Sequence, residues 1–326
     1  MPRPRVFVSR QIPEAGLASI LAECDAEVWP ERMPPSAEIL REKVRDCVGL
    51  VSLLTDRVDQ ALLDAAPNLK VISNFAVGVN NIDLAAATAR KIAVGNTPGV
   101  LTESTADIAV TLLLAAARRL GESIADAKES RWYTWEPRGW LGADLVGRTL
   151  GIVGMGRIGY ATAKRLHHGW GMKVLYTSRS PKPEAERDLQ AQHVSLETLL
   201  AESDFISVHA DLNPSTNHMF AAEQFRQMKK TAVFVNTARG AHIDQLALAE
   251  ALRNGTIFAA GLDVTEPEPL PSDHELYKLK NCVISPHIAS ATVDTRNAVA
   301  TMCAANLLAG VKGERLPNCV NAEVYG

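Results

Sequence analysis

Residues 149–159 read Thr149-Leu150-Gly151-Ile152-Val153-Gly154-Met155-Gly156-Arg157-Ile158-Gly159. The stretch begins with a short apolar run typical of a buried strand, and the residues after the glycines, Ala161–Leu166, show a helical pattern. A strand, a G-x-G-x-x-G turn and a helix in this order predict a doubly wound α/β fold that binds a dinucleotide. In such a turn Gly154 permits the tight bend, Gly156 lets the backbone approach the pyrophosphate, and Gly159 lets the helix pack close to the strand. The amide groups at the start of the helix then face the phosphates.

The position of this turn in the chain predicts the domain organisation. The chain has 326 residues, enough for two domains, and the turn lies near its middle. Strand-like runs alternate with helical patterns throughout, which indicates parallel α/β architecture in both domains. We therefore expect a Rossmann domain with a six-stranded sheet over residues 100–286. Residues 1–99 and 287–326 are expected to form a discontinuous substrate-binding domain that includes the last helix, and a substrate cleft is expected between the two domains.

Composition excludes several classes of protein. Hydrophobic residues make up 47% of the chain, charged residues 22%, and the formal net charge is −3. A weakly acidic chain gives no electrostatic reason to expect nucleic acid or an anionic membrane as a partner. The N-terminus shows no signal peptide, and the longest apolar run, Ala109–Ala117, is too short to span a bilayer. The five cysteines are scattered and form no C-x-x-C pair, so we expect a reducing, cytoplasmic setting and no metal.

The strand after the glycine turn bears on the choice of cofactor. NAD enzymes usually place an acidic residue at its end to bind the ribose 2′-hydroxyl. Here Val174–Thr177 is followed by Ser178-Arg179-Ser180, and no acid comes before Glu184. An arginine between two hydroxyl groups suits a 2′-phosphate, so we predict that NADPH is preferred and that NADH is possible. The alternative is that Arg179 is a solvated charge stacking on adenine.

A helix and a group of aromatic residues precede the glycine turn. The pattern predicts one long helix from about Thr102–Ser104 through Arg119, with Ser104 and Asp107 resembling a capping box. The stretch 131–140 then breaks the regularity and contains Trp132, Trp135 and Trp140.

Three segments follow predicted strands at their carboxyl ends, where ligands of open α/β sheets bind. They contain Arg239, the acids Glu266 and Glu268, and His287. Reduction of a 2-keto acid needs a proton donor, for which histidine is suited at neutral pH, a carboxylate that stabilises imidazolium, and a cation for the substrate carboxylate. Each residue also has an ordinary interpretation, as a surface ion-pair former, a loop charge or a structural histidine.

These motifs together resemble the D-2-hydroxyacid dehydrogenase family, and within it the glyoxylate/hydroxypyruvate reductases, over essentially the whole chain. The resemblance is carried by Asn74–Asp83, Thr97–Glu103, Thr149–Gly159, Asn236–Gly240, Gly261–Pro269, Pro286–Thr292 and Asn318–Asn321.

The resemblance implies roles for individual residues. Arg239 would bind the substrate carboxylate, His287 would be the acid/base, and Glu268, five residues after Asp263, would be its partner. The backbone at Val77 and Gly78 would also bind the substrate carboxylate. Independently of the resemblance, Leu53, Leu54 and Trp140 are candidate wall residues of the pocket and would favour a small or partly apolar substrate. The remaining cofactor contacts would be Thr105, His209, Ala210, Thr216, Thr237, Ala238 and Asp263, besides the glycine turn, Ser178–Ser180, Arg239 and His287.

The resemblance also implies a homodimer in which the tryptophan-rich segment embraces the partner subunit and Trp140 reaches the neighbouring active site. Simple interface burial would explain the tryptophans equally well. Two positions depart from the family pattern. Ala289 replaces a glycine after the His-Ile pair, and Asp211 stands where a proline is common. An acid near the adenosine would repel a 2′-phosphate, so Asp211 argues against NADPH.

We therefore expect NADPH-dependent reduction of glyoxylate to glycolate or of hydroxypyruvate to D-glycerate. Reduction of a larger acid such as 2-ketogluconate is the alternative within the enzyme class. A corepressor that senses dinucleotides is the alternative from another class, because such proteins use the same scaffold.

Overall fold

Short runs of β-branched and small apolar residues form two parallel sheets in the computed structural model, which describes residues 2–326. Within these residues the Cα positions divide into a unit formed by residues 2–101 with Ala291–Gly326 and a unit formed by Thr102–Ser290. Each unit has one parallel sheet, so the predicted fold class, two parallel-sheet α/β domains, is confirmed.

Over its described part, the first unit has a five-stranded sheet in the order β2-β1-β3-β4-β5. The strands are β1 (Arg5–Val8), β2 (Asp25–Val28), β3 (Gly49–Ser52), β4 (Val71–Asn74) and β5 (Ala93–Gly95). The helices are α1 (Glu14–Glu23), α2 (Ala37–Val44), α3 (Gln60–Ala65), α4 (Leu84–Ala89) and the late helix α12 (Val293–Lys312). Helix α12 packs on α1, β3 and β4. Its buried residues in the core that contains Val6, Val51 and Val71 are Val299, Ala300, Cys303, Ala304, Leu307 and Leu308.

The second unit has a seven-stranded sheet within Thr102–Ser290, in the order β12-β11-β10-β9-β6-β7-β8. The strands are β6 (Thr149–Val153), β7 (Lys173–Thr177), β8 (Gln192–His193), β9 (Phe205–Val208), β10 (Val233–Asn236), β11 (Ala259–Leu262) and β12 (Cys282–Ile284). The helices are α5 (Thr102–Ala117), α6 (Leu120–Lys128), α7 (Arg157–Trp170), α8 (Pro183–Leu189), α9 (Leu196–Glu202), α10 (Ala222–Gln227) and α11 (Gln245–Arg253).

The sheet of the second unit has one strand more than the sequence predicts. The additional strand, β8, has only two residues, both exposed and polar, so it gives no apolar signal. It pairs with β7 through Leu175 and Tyr176 and forms the edge of the sheet.

The prediction of one helix through Arg119 is wrong. Helix α5 ends at Ala117, whose carbonyl accepts a hydrogen bond of 2.9 Å from the Ala143 amide. Arg119 has a left-handed backbone with φ of 52° and is the N-cap of the separate helix α6, which begins at Leu120. The expected capping box is also absent from this described segment, because α5 already begins at Thr102 and Ser104 is buried inside the helix.

A carboxylate fixes the start of β6, the strand that leads into the glycine turn. Asp204 accepts hydrogen bonds from the Thr149 amide at 3.0 Å and from Lys229 at 2.8 Å. Burial raises the pKa of Asp204, but these bonds and the charge of Lys229 outweigh it and hold the pKa below its ordinary value of 3.8.

Candidate active site

The glycine turn lies between β6 and α7. Gly154 has a left-handed φ of 98°, and a Cβ there would lie 2.6 Å from the Ala210 amide nitrogen. A Cβ on Gly159 would lie 2.2 Å from the Gly154 carbonyl oxygen. Both positions therefore require glycine for packing inside the protein.

Gly156 differs from the other two glycines of the turn. A Cβ there would meet no described atom within 4 Å, and its φ of −83° suits any residue. Gly156 is the N-cap of α7 and no side chain caps that end of the helix. Open space in front of uncapped amide groups fits a phosphate group, so the residues present fit a dinucleotide whose pyrophosphate would lie here. Met155, by contrast, is buried in the core.

Ser178, Arg179 and Ser180 follow β7 at the surface. The Arg179 side chain is 92% exposed, and its Nη2 lies 3.5 Å from Oδ2 of Asp211, which is 87% exposed. Ser178 donates a 2.7 Å hydrogen bond to the Ser180 carbonyl. Asp211, which argues against NADPH, thus lies next to Arg179, which argues for it.

His287 and Glu268 form the central pair of the candidate site. Nδ1 of His287 lies 2.5 Å from Oε1 of Glu268, whose Oε2 accepts from the Thr265 amide at 3.3 Å. Partial burial raises the pKa of Glu268, but the hydrogen bond and charge of His287, the Thr265 amide and the charge of Arg239 outweigh it and lower the pKa. Glu268 is therefore ionised at neutral pH and can hold the imidazole with Nε2 directed away from it.

Arg239 follows β10 and lies within electrostatic range of Glu268 and Asp211. Burial lowers its pKa, while those two acids oppose the shift. The guanidinium stays charged because its ordinary pKa is far above neutral. One of its nitrogens, Nη1, donates to the neighbouring Ala238 carbonyl at 2.7 Å. A half-buried arginine beside the carboxylate of an acid–base pair can bind a second, external carboxylate.

Asp263 holds the loop that carries His287. It is 1% exposed, and its carboxylate accepts from Ser285 Oγ at 2.6 Å and from the amides of Ile288 and Ala289, each at 2.8 Å. These bonds maintain the left-handed backbone of His287, whose φ is 51°. The predicted cofactor residue Asp263 thus acts within the chain as a support for the histidine.

The two acids left open by the sequence face different partners. Glu268 faces His287, whereas Oε2 of Glu266 lies 3.3 Å from Nε2 of His218. The structure therefore brings Glu268, and not Glu266, to the histidine.

The remaining predicted cofactor residues outside the glycine turn lie in the loops after β9 and β10 or on α5. His209 and Ala210 follow β9 directly, and His209 Nε2 lies 2.8 Å from Ser207 Oγ. Burial lowers the pKa of His209 to about 3, so its ring is neutral. Thr216 donates to the Asp211 carbonyl at 2.7 Å. Thr105 is buried in the first turns of α5, and Thr237, after β10, has a buried Oγ1 for which the described chain provides no partner.

The first unit contains the predicted substrate-binding residues Leu53, Val77 and Gly78. Leu53 follows β3, and Val77 and Gly78 lie in the turn after the neighbouring strand β4, so all three lie at one edge of the sheet. All are half-buried, which leaves their backbone groups near the surface.

The tryptophans of the 131–140 segment differ in exposure. Trp132 is 66% exposed and Trp135 is 79% exposed, whereas Trp140 is half-buried and donates its indole N–H to Asp126 of its own chain at 3.0 Å. Asp126 also binds Arg131, which fixes the segment against the end of α6.

Sequence reasoning missed the polar residues that support these loops. Asp56 and Asn81 hold the Leu53 loop, and Gln245 donates to the Glu266 carbonyl. Their only sequence signal is an amide or acid beside a strand end, which many surface loops share.

Comparison with known proteins gives one family. The family model described as D-isomer specific 2-hydroxyacid dehydrogenase, NAD binding domain, matches residues 110–289. A glyoxylate reductase of Korarchaeum cryptofilum is 51% identical over 99% of this chain and 97% of its own length.

Among the residues described, no helix is long and apolar enough to cross a membrane.

Solved structures agree with this result. A protein of Thermus thermophilus superimposes with a TM-score of 0.91 at 48% identity, over 97% of this chain and 99% of that one. An NADPH-dependent glyoxylate/hydroxypyruvate reductase of Sinorhizobium meliloti, solved with NADP and malonate, has a TM-score of 0.85 at 32% identity, over 98% and 97%. The chain therefore belongs to the D-isomer specific 2-hydroxyacid dehydrogenases, a family of NAD(P)-dependent oxidoreductases.

Proposed function

We propose that this enzyme reduces glyoxylate and hydroxypyruvate to glycolate and D-glycerate and prefers NADPH. The observation that carries the proposal is the pair formed by Glu268 Oε1 and His287 Nδ1 at 2.5 Å, with Arg239 in electrostatic range of the glutamate. A proton donor, its carboxylate and a cation are the three groups that reduction of a 2-keto acid requires. Relatives named glyoxylate reductase support the choice of substrate.

The proposed mechanism assigns one step to each group. When held at the glycine turn Gly154–Gly159, a reduced nicotinamide dinucleotide would supply the hydride that C2 of the keto acid accepts. Arg239 binds the substrate carboxylate and so orients the carbonyl group. His287 donates the proton on Nε2 to the carbonyl oxygen, which becomes the hydroxyl of the product. Glu268 stabilises the imidazolium before transfer and keeps Nδ1 protonated afterwards.

The NADPH preference rests on Arg179. An exposed ion pair such as Arg179–Asp211 contributes at most about 1 kcal/mol, so the arginine can leave it for a 2′-phosphate. The Sinorhizobium relative that binds NADP supports this assignment. We expect Asp211→Asn to raise the ratio of kcat/KM with NADPH to that with NADH, and Arg179→Asp to lower it at least tenfold. An unchanged ratio in both variants would exclude this pair as the determinant.

A turnover panel tests the proposed activity. Purified enzyme is assayed with glyoxylate, hydroxypyruvate, pyruvate and 2-ketogluconate, each with NADPH and NADH, by loss of absorbance of the reduced cofactor. We expect the two small acids with NADPH to give the highest kcat/KM, and His287→Ala to lose most turnover while binding NADPH normally. A preference for 2-ketogluconate would favour the larger-substrate alternative, and NADPH binding without turnover of any acid would favour the corepressor alternative.

We also propose a homodimer formed through the 131–140 segment. The exposed aromatic side chains of Trp132, Tyr133 and Trp135 form an apolar surface that a partner would cover. Light scattering during gel filtration tests the dimer. Alanine variants of Trp132, Trp135 and Trp140 then test which tryptophan reaches the active site of the partner subunit. Only that variant should raise the KM of the keto acid without dissociating the dimer. The sequence predicts that Trp140 is this residue. Because Trp140 is bonded to Asp126 of its own chain, the exposed Trp135 is the most informative comparison.

We also propose that the enzyme is located in a reducing compartment such as the cytoplasm. The cysteines of the described chain are all free thiols, and Cys24, Cys47 and Cys303 are buried. Fractionation of cells that express the tagged enzyme tests the location.

A further inference from the structure

Two loops of the first unit are joined by a pair of asparagine side chains. One loop follows β3 and contains Leu53, and the other follows β4 and contains Gly78. Asn74, the last residue of β4, is fully buried and pairs in register with Ser52, the last residue of β3. Asn81 lies half-buried at the end of the second loop.

The Asn81 amide group faces several oxygen atoms at once. Its Nδ2 lies 3.0 Å from the Leu53 carbonyl oxygen, 3.0 Å from the Asp56 carbonyl oxygen and 3.3 Å from Asn74 Oδ1. An amide nitrogen has two hydrogens, so the two nearer carbonyl groups take them. Asn81 Oδ1 accepts in turn from Asn74 Nδ2 at 3.2 Å, and the second hydrogen of that nitrogen goes to the Gly78 carbonyl at 2.9 Å.

The result is a continuous connection from one loop backbone to the other. The Leu53 carbonyl binds Asn81, Asn81 binds Asn74, and Asn74 binds the Gly78 carbonyl. The other side of Leu53 is also held, because its amide donates to Asp56 Oδ2 at 2.7 Å. Asp56 is 3% exposed and also accepts from Ser9 Oγ, so this support is rigid.

We propose that Asn81 is a positioning residue that sets the separation of the Leu53 and Gly78 backbones and thereby the affinity for the keto acid carboxylate. The proposal rests on the proposed function and on the expectation that the Val77 and Gly78 backbone binds the substrate beside Leu53. Asn81 reaches the substrate only through the loops, so its loss should weaken substrate binding and leave dinucleotide binding unchanged, because the glycine turn lies in the other unit.

Asn81→Asp tests the proposal with little change of shape. An ionised carboxylate cannot donate, and it would face the three oxygen atoms that now surround the amide nitrogen. We expect the KM of glyoxylate to rise at least tenfold and the KM of NADPH to change less than twofold. Asn81→Ser, which is smaller and uncharged, should give a weaker effect in the same direction and serves if the aspartate variant does not fold.

Asn321→Asp is a matched control in the same unit. Asn321 is 2% exposed and donates to Thr88 Oγ1 at 2.9 Å and the Ile92 carbonyl at 3.0 Å, and it accepts from the Val94 amide at 2.8 Å. The substitution likewise removes two donated bonds, but at β5 and not in either loop. We expect it to lower Tm as Asn81→Asp does, without raising the KM of glyoxylate.

Three outcomes are distinguishable. A selective rise in the glyoxylate KM for the Asn81 variants supports the proposal. An Asn81 variant that lowers Tm to the same extent as the control, with the glyoxylate KM within twofold of wild type, would overturn it and leave the proposed function intact. Wild-type enzyme that reduces no 2-keto acid would overturn the proposed function and this inference together.

Discussion

Gly156→Ala separates cofactor binding from folding within one glycine turn. The backbone of Gly156 already has angles open to alanine, with φ of −83° and ψ of −167°, and the added methyl group would meet no described atom within 4 Å. Exchange of glycine for alanine at a helix N-cap costs at most about 1 kcal/mol. The variant should therefore fold, with a free energy of unfolding close to that of wild type.

Binding of the dinucleotide should respond much more strongly. A phosphate oxygen must approach the amide groups to about 2.9 Å to accept their hydrogen bonds, and a methyl group at Gly156 occupies that approach. Displacement of the phosphate by about 1 Å or more breaks at least one charge-assisted hydrogen bond, each worth about 1.5–3 kcal/mol. Because about 1.4 kcal/mol corresponds to a factor of ten, the Kd of NADPH should rise ten- to a hundredfold.

Two further variants make the measurement decisive. The Kd of NADPH is measured by fluorescence titration and the free energy of unfolding by urea denaturation. Gly159→Ala would place a Cβ 2.2 Å from the Gly154 carbonyl oxygen and should lose about 1–3 kcal/mol of stability. Gly169→Ala, in the same helix but in open space, should change neither quantity appreciably. Wild-type affinity for NADPH in Gly156→Ala would refute the assignment of the pyrophosphate to this turn.

Three other variants test the loop that carries Glu268, the pair of Glu268 and His287, and the support of β6 by Asp204. Gly240→Ala would put a Cβ 2.0 Å from the Thr265 carbonyl carbon and displace the loop that carries Glu268. We therefore expect kcat to fall about a hundredfold with NADPH affinity retained. A kcat within threefold of wild type would contradict this expectation. Glu268→Gln replaces the carboxylate that lies against His287 Nδ1 with a neutral amide, so kcat should fall at least tenfold with NADPH affinity retained. A kcat within threefold of wild type would count against the pair. The folded pKa of Asp204 is depressed, so its contribution to stability is present above its ordinary pKa of 3.8 and is lost as the pH falls through the folded value. Asp204→Asn should accordingly lower the free energy of unfolding, measured by urea denaturation, by about 1–2 kcal/mol at pH 7 and by progressively less as the pH falls. An equal loss at pH 7 and in acid would show that the charge of Asp204 plays no part.

The sequence predicted those parts of the fold that follow from local patterns. The apolar run at the start of 149–159 and the run Val174–Thr177 are strands β6 and β7, and the helical pattern of Ala161–Leu166 lies within α7. The glycine turn and the order of strands and helices led to the parallel-sheet fold class, because buried parallel strands are continuous apolar runs.

The features that the sequence did not predict depend on contacts distant in the chain. The end of α5 is set by the Ala143 amide, which binds the carbonyl of Ala117, 26 positions earlier in the sequence. The strand β8 is too short and polar to give a pattern. The supports at Asn81 and Asp263 are visible only when their backbone partners are known, since an amide or a carboxylate at a strand end predicts no particular acceptor or donor.

The core of the first unit also imposes an order on the synthesis of the protein. Its sheet is covered by α12, and the Val94 amide of β5 donates to the side chain of Asn321, so the unit is complete only after Asn321 has left the ribosome. The second unit consists of the continuous segment Thr102–Ser290 and can close first, although its synthesis begins later. At roughly 5–20 residues per second the nascent N-terminal strands wait on the order of ten seconds or more for their missing helix. During translation, the half-built first unit is therefore expected to expose the apolar surface that α12 later covers.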